Sequence, residues 1–260
     1  MQERPYGISV LIITLNEERN IRRAIESVQS FADEIIVLDS LSTDQTKSIV
    51  ENFSSVKFIE RAWEGYSKTK NYLHSLANYS YIFSLDADEA PDQKMQKHIL
   101  EVKKQGLSGV YSVNRLTNYC GKWIKYSGWY PDIKKRLFPA DSARWDGAIV
   151  HEELIFDRNF CIHELNGHLE HYSYYDFAEH KSRADKYSVL TANKFNEQGK
   201  KASIFKPYLS GMMRFFSMYF VKLGFLDGKM GYKIAAISAR SNVLKYKELR
   251  RLNRTTKTFK

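Results

Sequence analysis

Ile82-Phe83-Ser84-Leu85-Asp86-Ala87-Asp88-Glu89 runs four mostly apolar residues into three carboxylates within four positions. With Tyr81 before it, the apolar part has the length and the aromatic, β-branched bias of a buried strand. The carboxylates then fall at the strand's carboxyl end, where open α/β sheets hold ligands. Asp86 and Asp88 are two apart, so an extended backbone sends both to one side. Two hard oxygen donors so placed can hold a divalent cation that also takes diphosphate oxygens. An acidic turn capping the next helix is the plainer alternative, since Pro91-Asp92 follows.

Working outward, Ile8–Ile13 has the same buried-strand character. Asn16 predicts the cap of a helix beginning at Glu17, and Ile21, Ala24, Ile25 and Val28 then recur at helical spacing. Glu34–Asp39 is a second strand that ends on a carboxylate, and Ser42-Thr43-Asp44 can cap a short helix through Phe53. Val56–Ile59 is a third strand, and Trp63–Ala77 a loop and helix. This alternation predicts an α/β fold with a largely parallel sheet and right-handed crossovers. No G-x-G-x-x-G follows the first strand and no G-x-x-x-x-G-K-[ST] occurs, which argues against dinucleotide and P-loop chemistry. Polar residues instead cluster after three strands: Thr14, Asn16 and Glu17, then Asp39 and Ser40, then Asp86, Asp88 and Glu89. If those strands are neighbours, the groups converge on one crevice. A carboxylate such as Asp39 can there accept from a base N–H or a ribose hydroxyl, or simply close a turn.

Composition bounds the rest. The 260 residues are 43% hydrophobic, enough for one large domain or a domain with an appendage. Cys120 and Cys161 are too few for a disulfide framework, which predicts a reduced, intracellular protein. The apolar run Ile8–Ile13 is too short for a signal peptide. The net charge of +10 is uneven: residues 1–170 carry −3 and residues 171–260 carry +13. A basic region of that kind suits an anionic partner, nucleic acid or membrane surface.

Residues 107–160 interleave aromatic and basic side chains, and Gly121, Gly128 and Gly147 predict hairpins and loops. Aromatic faces there suit sugar binding, and Arg136 can neutralise a diphosphate leaving group. His151-Glu152-Glu153 forms a second chemical cluster, in which His151 can complete a metal shell and one glutamate can act as base. On an extended segment only one of the two glutamates faces the site. His163, His168 and His171 read as structural or substrate-orienting, because no cysteines stand at finger spacing. Asp176–Gly199, Phe205–Leu226 and Ile234–Leu252 read as helices. Arg214 and Lys222 interrupt the second, so it is a poor spanning segment; it fits an interfacial helix or one packed on the catalytic part.

Ser9-Val10-Leu11-Ile12-Ile13-Thr14-Leu15-Asn16-Glu17-Glu18, Asp39-Ser40-Leu41-Ser42-Thr43-Asp44, Lys70-Asn71 and Asp86-Ala87-Asp88-Glu89 resemble the successive motifs of family 2 glycosyltransferases. The likeness continues through Gly128-Trp129-Tyr130-Pro131-Asp132, Arg136-Leu137-Phe138 and Val150-His151-Glu152. This longer set resembles the lipopolysaccharide core-biosynthesis branch, which adds β-linked glucose to a core heptose. One departure is Leu41, where the family usually has glycine.

The resemblance implies a GT-A fold, a Rossmann-like and mostly parallel sheet flanked by helices, over residues 1–170. A basic amphipathic helical region, 171–260, would follow it. It implies an inverting, metal-dependent hexosyltransferase. Thr14, Leu15, Asn16, Glu17, Asp39, Ser40, Lys70, Asp86 and Ala87 would hold a UDP-sugar. Asp86, Asp88 and His151 would hold Mg²⁺ or Mn²⁺. Glu152 would be the base, with Glu153 and Asp132 as the other candidates, and Arg136 would assist the leaving group. The implied partners are the nucleotide-diphosphate sugar, a lipid-linked glycan acceptor and the cytoplasmic face of the inner membrane, met peripherally. A polyprenyl phosphate or another surface glycan is an alternative acceptor. A nucleic-acid-binding protein is the rival from another class; it is disfavoured because the aromatics and the excess basic charge lie in different parts of the chain.

Overall fold

The computed structural model describes residues 4–146 and 153–258. The chain forms two compact units: residues 1–115 with 132–172, and residues 116–131 with 173–260.

The first unit is built on β1 (Ile8–Thr14), α1 (Ile21–Val28), β2 (Glu34–Asp39), α2 (Thr46–Glu51), β3 (Val56–Glu60), α3 (Tyr66–Ser75) and β4 (Tyr81–Asp86). β5 (Glu89–Pro91) and α4 (Gln93–Gln105) follow. Four strands pair in parallel in the order β3-β2-β1-β4. All seven residues of β1 are buried, as a central parallel strand covered on both faces requires. Alternate residues supply the two layers. Val10 and Ile12 pack with Ile25 of α1 and Met95 and Ile99 of α4. Leu11 and Ile13 pack with Leu73 of α3 on the other face. The sheet continues antiparallel through β8 (Ile133–Pro139), which pairs with β4 and with β6 (Val110–Tyr119). The expected alternation of strand and helix is therefore present, with four strands paired in parallel in the first half and one further short parallel pairing, of residues 162–164 with Val110–Ser112 of β6.

Four of the remaining strands are three residues long, β7 (Lys122–Ile124), β9 (Ala143–Trp145), β10 (Leu154–Phe156) and β11 (Ile162–Glu164), and β12 (Leu169–Tyr174) has six. β6 pairs antiparallel with β7 around Gly121 and β9 with β10, as hairpins over 107–160 require, while Gly147 lies outside the described residues. β12 runs antiparallel to β5 and brings His171 opposite Glu89.

The helix expected from Glu17 begins instead at Ile21, with Asn20 at its cap position. Asn16 is left-handed, φ 55°, and its side-chain oxygen accepts from the Thr43 N–H at 2.8 Å. A short polar side chain that finds a distant backbone donor leaves no reason to cap locally.

The second unit holds β7, α5 (Phe177–Glu197), α6 (Lys206–Phe216) and α7 (Lys229–Thr258). Asp176 caps α5 by accepting from the Glu179 N–H. Tyr119, Ile124, Met218, Ile234 and Ala235 form its core. Buried Asp227 accepts from the N–H groups of Lys125 and Tyr126, both at 3.1 Å, and from the Ser127 hydroxyl at 3.0 Å. α6 packs on α7 through Gly211, where a Cβ would stand 2.5 Å from Val243. The opposite face of α6 is left exposed.

Candidate functional site

Strand register brings the carboxylates together. Thr14 of β1 lies opposite Asp39 of β2, and Ile13 lies opposite Asp86 of β4. Adjacent strands are ~4.8 Å apart, so three polar strand ends share one edge of the first unit.

The β1–α1 and β2–α2 loops lock onto each other. Buried Asp39 accepts from the Ser42 N–H at 2.7 Å and from its hydroxyl at 2.5 Å. The Asn16 N–H donates to the Ser42 hydroxyl at 2.7 Å, and the Glu17 N–H to the Thr46 hydroxyl at 2.8 Å. Leu41 is left-handed, φ 65°, and its side chain is exposed. The position therefore keeps the backbone that favours glycine although leucine occupies it. Leu15 is exposed beside this loop, and Ser40 is buried.

At the end of β4, charges alternate in sign through a network buried at Lys70, Arg136 and Glu89 and partly exposed at Asp86, Arg115 and Asp132. Lys70 of α3 stands 3.4 Å from Asp86 Oδ1 and 4.4 Å over the Trp145 ring. Arg136 of β8 donates to Asp86 Oδ2 at 2.9 Å and to both oxygens of Glu89 at 2.5 and 2.6 Å. Arg115 of β6 reaches Glu89 at 3.0 Å and Asp132 at 2.6 Å, and Lys134 pairs with Asp132 at 3.0 Å. The Glu89 side chain is fully buried, and it also accepts from the Asp86 N–H at 3.2 Å. Burial pushes the Asp86 carboxyl up, but Lys70 and then Arg136 outweigh it and hold the group well below the usual carboxylate range. The same logic keeps Asp132 low, burial being overcome by Arg115 and Lys134. Asp132, ionised and gripped by two cations, is a weak proton acceptor.

Asp88 and Ala87 form the turn between β4 and β5, so Asp86 and Asp88 do not alternate along one extended strand. The Ala87 N–H donates to Ile13 at 3.2 Å. Asp88 Oδ2 lies 3.2 Å from His171 Nε2, across β12. Burial raises the Asp88 carboxyl, but the His171 hydrogen bond and the charges of His171 and Arg115 together outweigh it and hold the group below its ordinary value. Of the three histidines noted in the sequence, His171 is thus the one on the carboxylate pair; His168 lies by Asp92 and His163 by Tyr111.

His151 and Glu152 lie outside the described residues. Glu153 is exposed next to β10. Among the described residues no group of three or more His, Cys, Asp or Glu side chains is arranged to hold a metal ion. The Asp88–His171 pair nevertheless offers one carboxylate and one imidazole, and a cation bound by a diphosphate needs only one or two protein ligands. Among the described residues three buried hydroxyl oxygens on this part of the unit, Thr14 Oγ1, Ser40 Oγ and Thr69 Oγ1, have no hydrogen-bond partner, and Asp86 Oδ1 meets the Lys70 ammonium at 3.4 Å without a hydrogen bond. Orphaned buried polar atoms are rare in folded proteins and mark places where a ligand or ion completes the set.

Arg115 and His171 are the site residues that sequence reasoning did not single out. Both sit on strands after residue 109, and each meets a carboxylate at least 17 positions away in the chain.

The model of the family described as glycosyl transferase family 2 matches residues 9–155, more than half of the chain. An uncharacterized glycosyltransferase of Rickettsia typhi is 31% identical over 95% of this chain and 87% of its own length. The lipopolysaccharide core biosynthesis glycosyltransferase LpsC of Rhizobium meliloti is 27% identical over 91% of this chain and 96% of its own. Among solved structures, S. aureus TarS in complex with UDP aligns over 98% of this chain and 92% of that one, at 15% identity and a TM-score of 0.46. The chain belongs to glycosyl transferase family 2.

Proposed function

We propose that the protein transfers glucose from UDP-glucose to a lipopolysaccharide or lipooligosaccharide core, with inversion at the anomeric carbon. The observation that carries this is the set of unpartnered buried oxygens beside Asp39, Lys70 and Asp86, at the carboxyl ends of neighbouring strands. A nucleoside diphosphate brings the hydroxyls, N–H groups and charge that such a set lacks. The similarity to LpsC supports the choice of acceptor.

In this reading Asp39 and the Thr14–Glu17 loop hold the nucleoside, and Ser40 and Ala87 line its path. Lys70 faces the diphosphate, while Arg136, fixed between Asp86 and Glu89, keeps the local charge balanced. Asp88, with Asp86 behind it and His171 beside it, would hold a divalent cation, with His151 a further candidate ligand. An imidazole in the set suits Mn²⁺ better than Mg²⁺. When bound, the cation supplies Lewis-acid charge to the leaving diphosphate. Glu152 takes the proton of the acceptor hydroxyl as that oxygen attacks the anomeric carbon from the face opposite the leaving group. The bond from that carbon to the diphosphate oxygen breaks, and UDP departs. Because the acceptor is lipid-linked, the enzyme works at a membrane surface. We read the attachment as peripheral; no helix among the described residues is long and apolar enough to cross a membrane.

The test is sugar transfer and donor hydrolysis with purified protein, stripped with EDTA and reloaded with Mn²⁺ or Mg²⁺. Asp88→Asn should abolish metal-dependent turnover without unfolding the protein. Glu152→Gln should leave UDP binding intact and lower kcat by ~10² or more, the range for a lost general base. Full turnover in EDTA, or a benign Glu152→Gln, refutes the corresponding assignment.

A further inference from the structure

The second unit carries a cation-lined groove that the transfer reaction does not use. Lys206, Leu209, Ser210, Met213 and Arg214 of α6 and Asn242 of α7 enclose about 330 Å³. Lys245, one turn further along α7, donates to Asn242 Oδ1 at 2.8 Å. Lys245 and Lys206 share the face of Tyr246, with their ammonium groups 4.8 and 5.4 Å from its ring centroid. Among the described residues no carboxylate pairs with Lys206, Arg214 or Lys245. Burial, then Arg214 and Lys206, push the half-buried Lys245 ammonium below its ordinary range. Three cations gathered without a counterion repel one another unless an anion joins them.

The surroundings say which anion. Residues 198–226 contain five Lys or Arg and no Asp or Glu. Because α6 packs through Pro207 and Gly211, its other side leaves Met212 64% and Phe216 58% exposed, with Phe205 at 75% at its start. Tyr246 and Tyr208 stand among the cations, but the exposed side chains around the groove are mostly aliphatic or thioether (Leu209, Met212, Met213) with the Phe216–Phe220 pair, a surface better matched to acyl chains than to a run of stacked bases. Apolar side chains flanking a basic pocket suit an interface between headgroups and acyl chains. We infer that the α6–α7 groove seats the phosphate of an anionic phospholipid headgroup, with Leu209, Met213 and the neighbouring exposed side chains lying against the acyl chains. This rests on the peripheral-membrane reading above and gives it a specific site.

The experiment is flotation of the full-length protein with vesicles of phosphatidylcholine alone or with 30% phosphatidylglycerol, an arbitrary but roughly inner-membrane-like fraction. The variants are Arg214→Gln/Lys245→Gln in the groove and Lys181→Gln/Lys186→Gln on the exposed face of α5, an equal loss of charge elsewhere. The inference expects binding to the anionic vesicles only. It expects the groove pair to weaken that binding at least tenfold more than the α5 pair, with donor hydrolysis unchanged in both. Equal weakening by the two pairs overturns the seat but leaves membrane attachment standing. No flotation of the wild-type protein overturns both. Retention of a single-stranded oligonucleotide that needs Lys245, without flotation, assigns the groove to nucleic acid and also overturns the inference.

Discussion

Glu89→Gln tests whether the charge network is what holds the β4–β5 turn. The Glu89 side chain is fully buried, with Arg136 at 2.5 Å and Arg115 at 3.0 Å. Glutamine keeps the shape and one acceptor for the Asp86 N–H, so the main loss is the charge that answers two guanidiniums. Removing one partner of a buried ion pair costs ~3–5 kcal/mol. Arg136 retains Asp86, and Arg115 retains Asp132, so the lower end applies, about 3 kcal/mol. With a urea slope near the top of the usual range, ~3 kcal/mol per M, the midpoint of unfolding should fall by about 1 M. Removing a guanidinium as well, in Glu89→Gln/Arg115→Gln, restores the charge count. The double variant should therefore recover at least ~1 kcal/mol relative to the sum of the single changes, since the two groups are in direct contact. Urea unfolding followed by circular dichroism measures both. A midpoint shift under ~0.3 M in the single variant, with strictly additive energies in the double one, would refute the view that Glu89 balances the cluster.

Two further outcomes follow from groups outside the Glu89 ion pairs. His74 and His180 are buried, and each is pushed down to about 4, mainly by burial, with Lys70 adding for His74 and Arg183 for His180. Their stabilising effect is complete above pH 6.5 and is lost as pH falls toward 4, because the unfolded chain takes up protons that the folded one refuses. The loss is ~1.4 kcal/mol per pH unit for each histidine in that window; a stability curve flat from pH 6.5 to 4.5 would sink this reading. At Leu41, glycine removes a left-handed cost of ~1–2 kcal/mol and adds chain entropy worth ~0.5–1 kcal/mol. Leu41→Gly should therefore be neutral or slightly stabilising in thermal melts and Leu41→Val destabilising; the reverse order would show that the loop is not strained.

What could be read from the sequence is what neighbouring residues decide. Buried strands betray themselves by apolar runs, and Asp39 and Asp86 by ending such runs. Leu41 stood out against the glycine expected there, and the structure shows the same backbone with a side chain added. What was not legible depends on pairing. Asn16 looked like a cap because Thr43, the donor it satisfies, lies 27 positions away. His171 could not be told from His163 and His168 until β12 was placed against β5. Arg115 sits in a strand whose local pattern says only that it is amphipathic; its partners, Glu89 and Asp132, come from either side of it in the chain.

The two units are not successive along the chain. Residues 116–131 leave the first unit, belong to the second, and return at Asp132. Their partners, Asp227 for the Lys125 and Tyr126 N–H groups and the Ser127 hydroxyl, and Met218 and Ile234 for Tyr119 and Ile124, are encoded about a hundred positions later. At ~5–20 residues per second of synthesis, that excursion waits on the order of ten seconds at the ribosome with its aromatic side chains uncovered. During the same interval the strands on either side of it can already close the sheet. Any shortening that removes the final helices would make this waiting state permanent, so a chain ending near residue 172 should be captured by chaperones or aggregate even though every residue of the proposed nucleotide crevice is present.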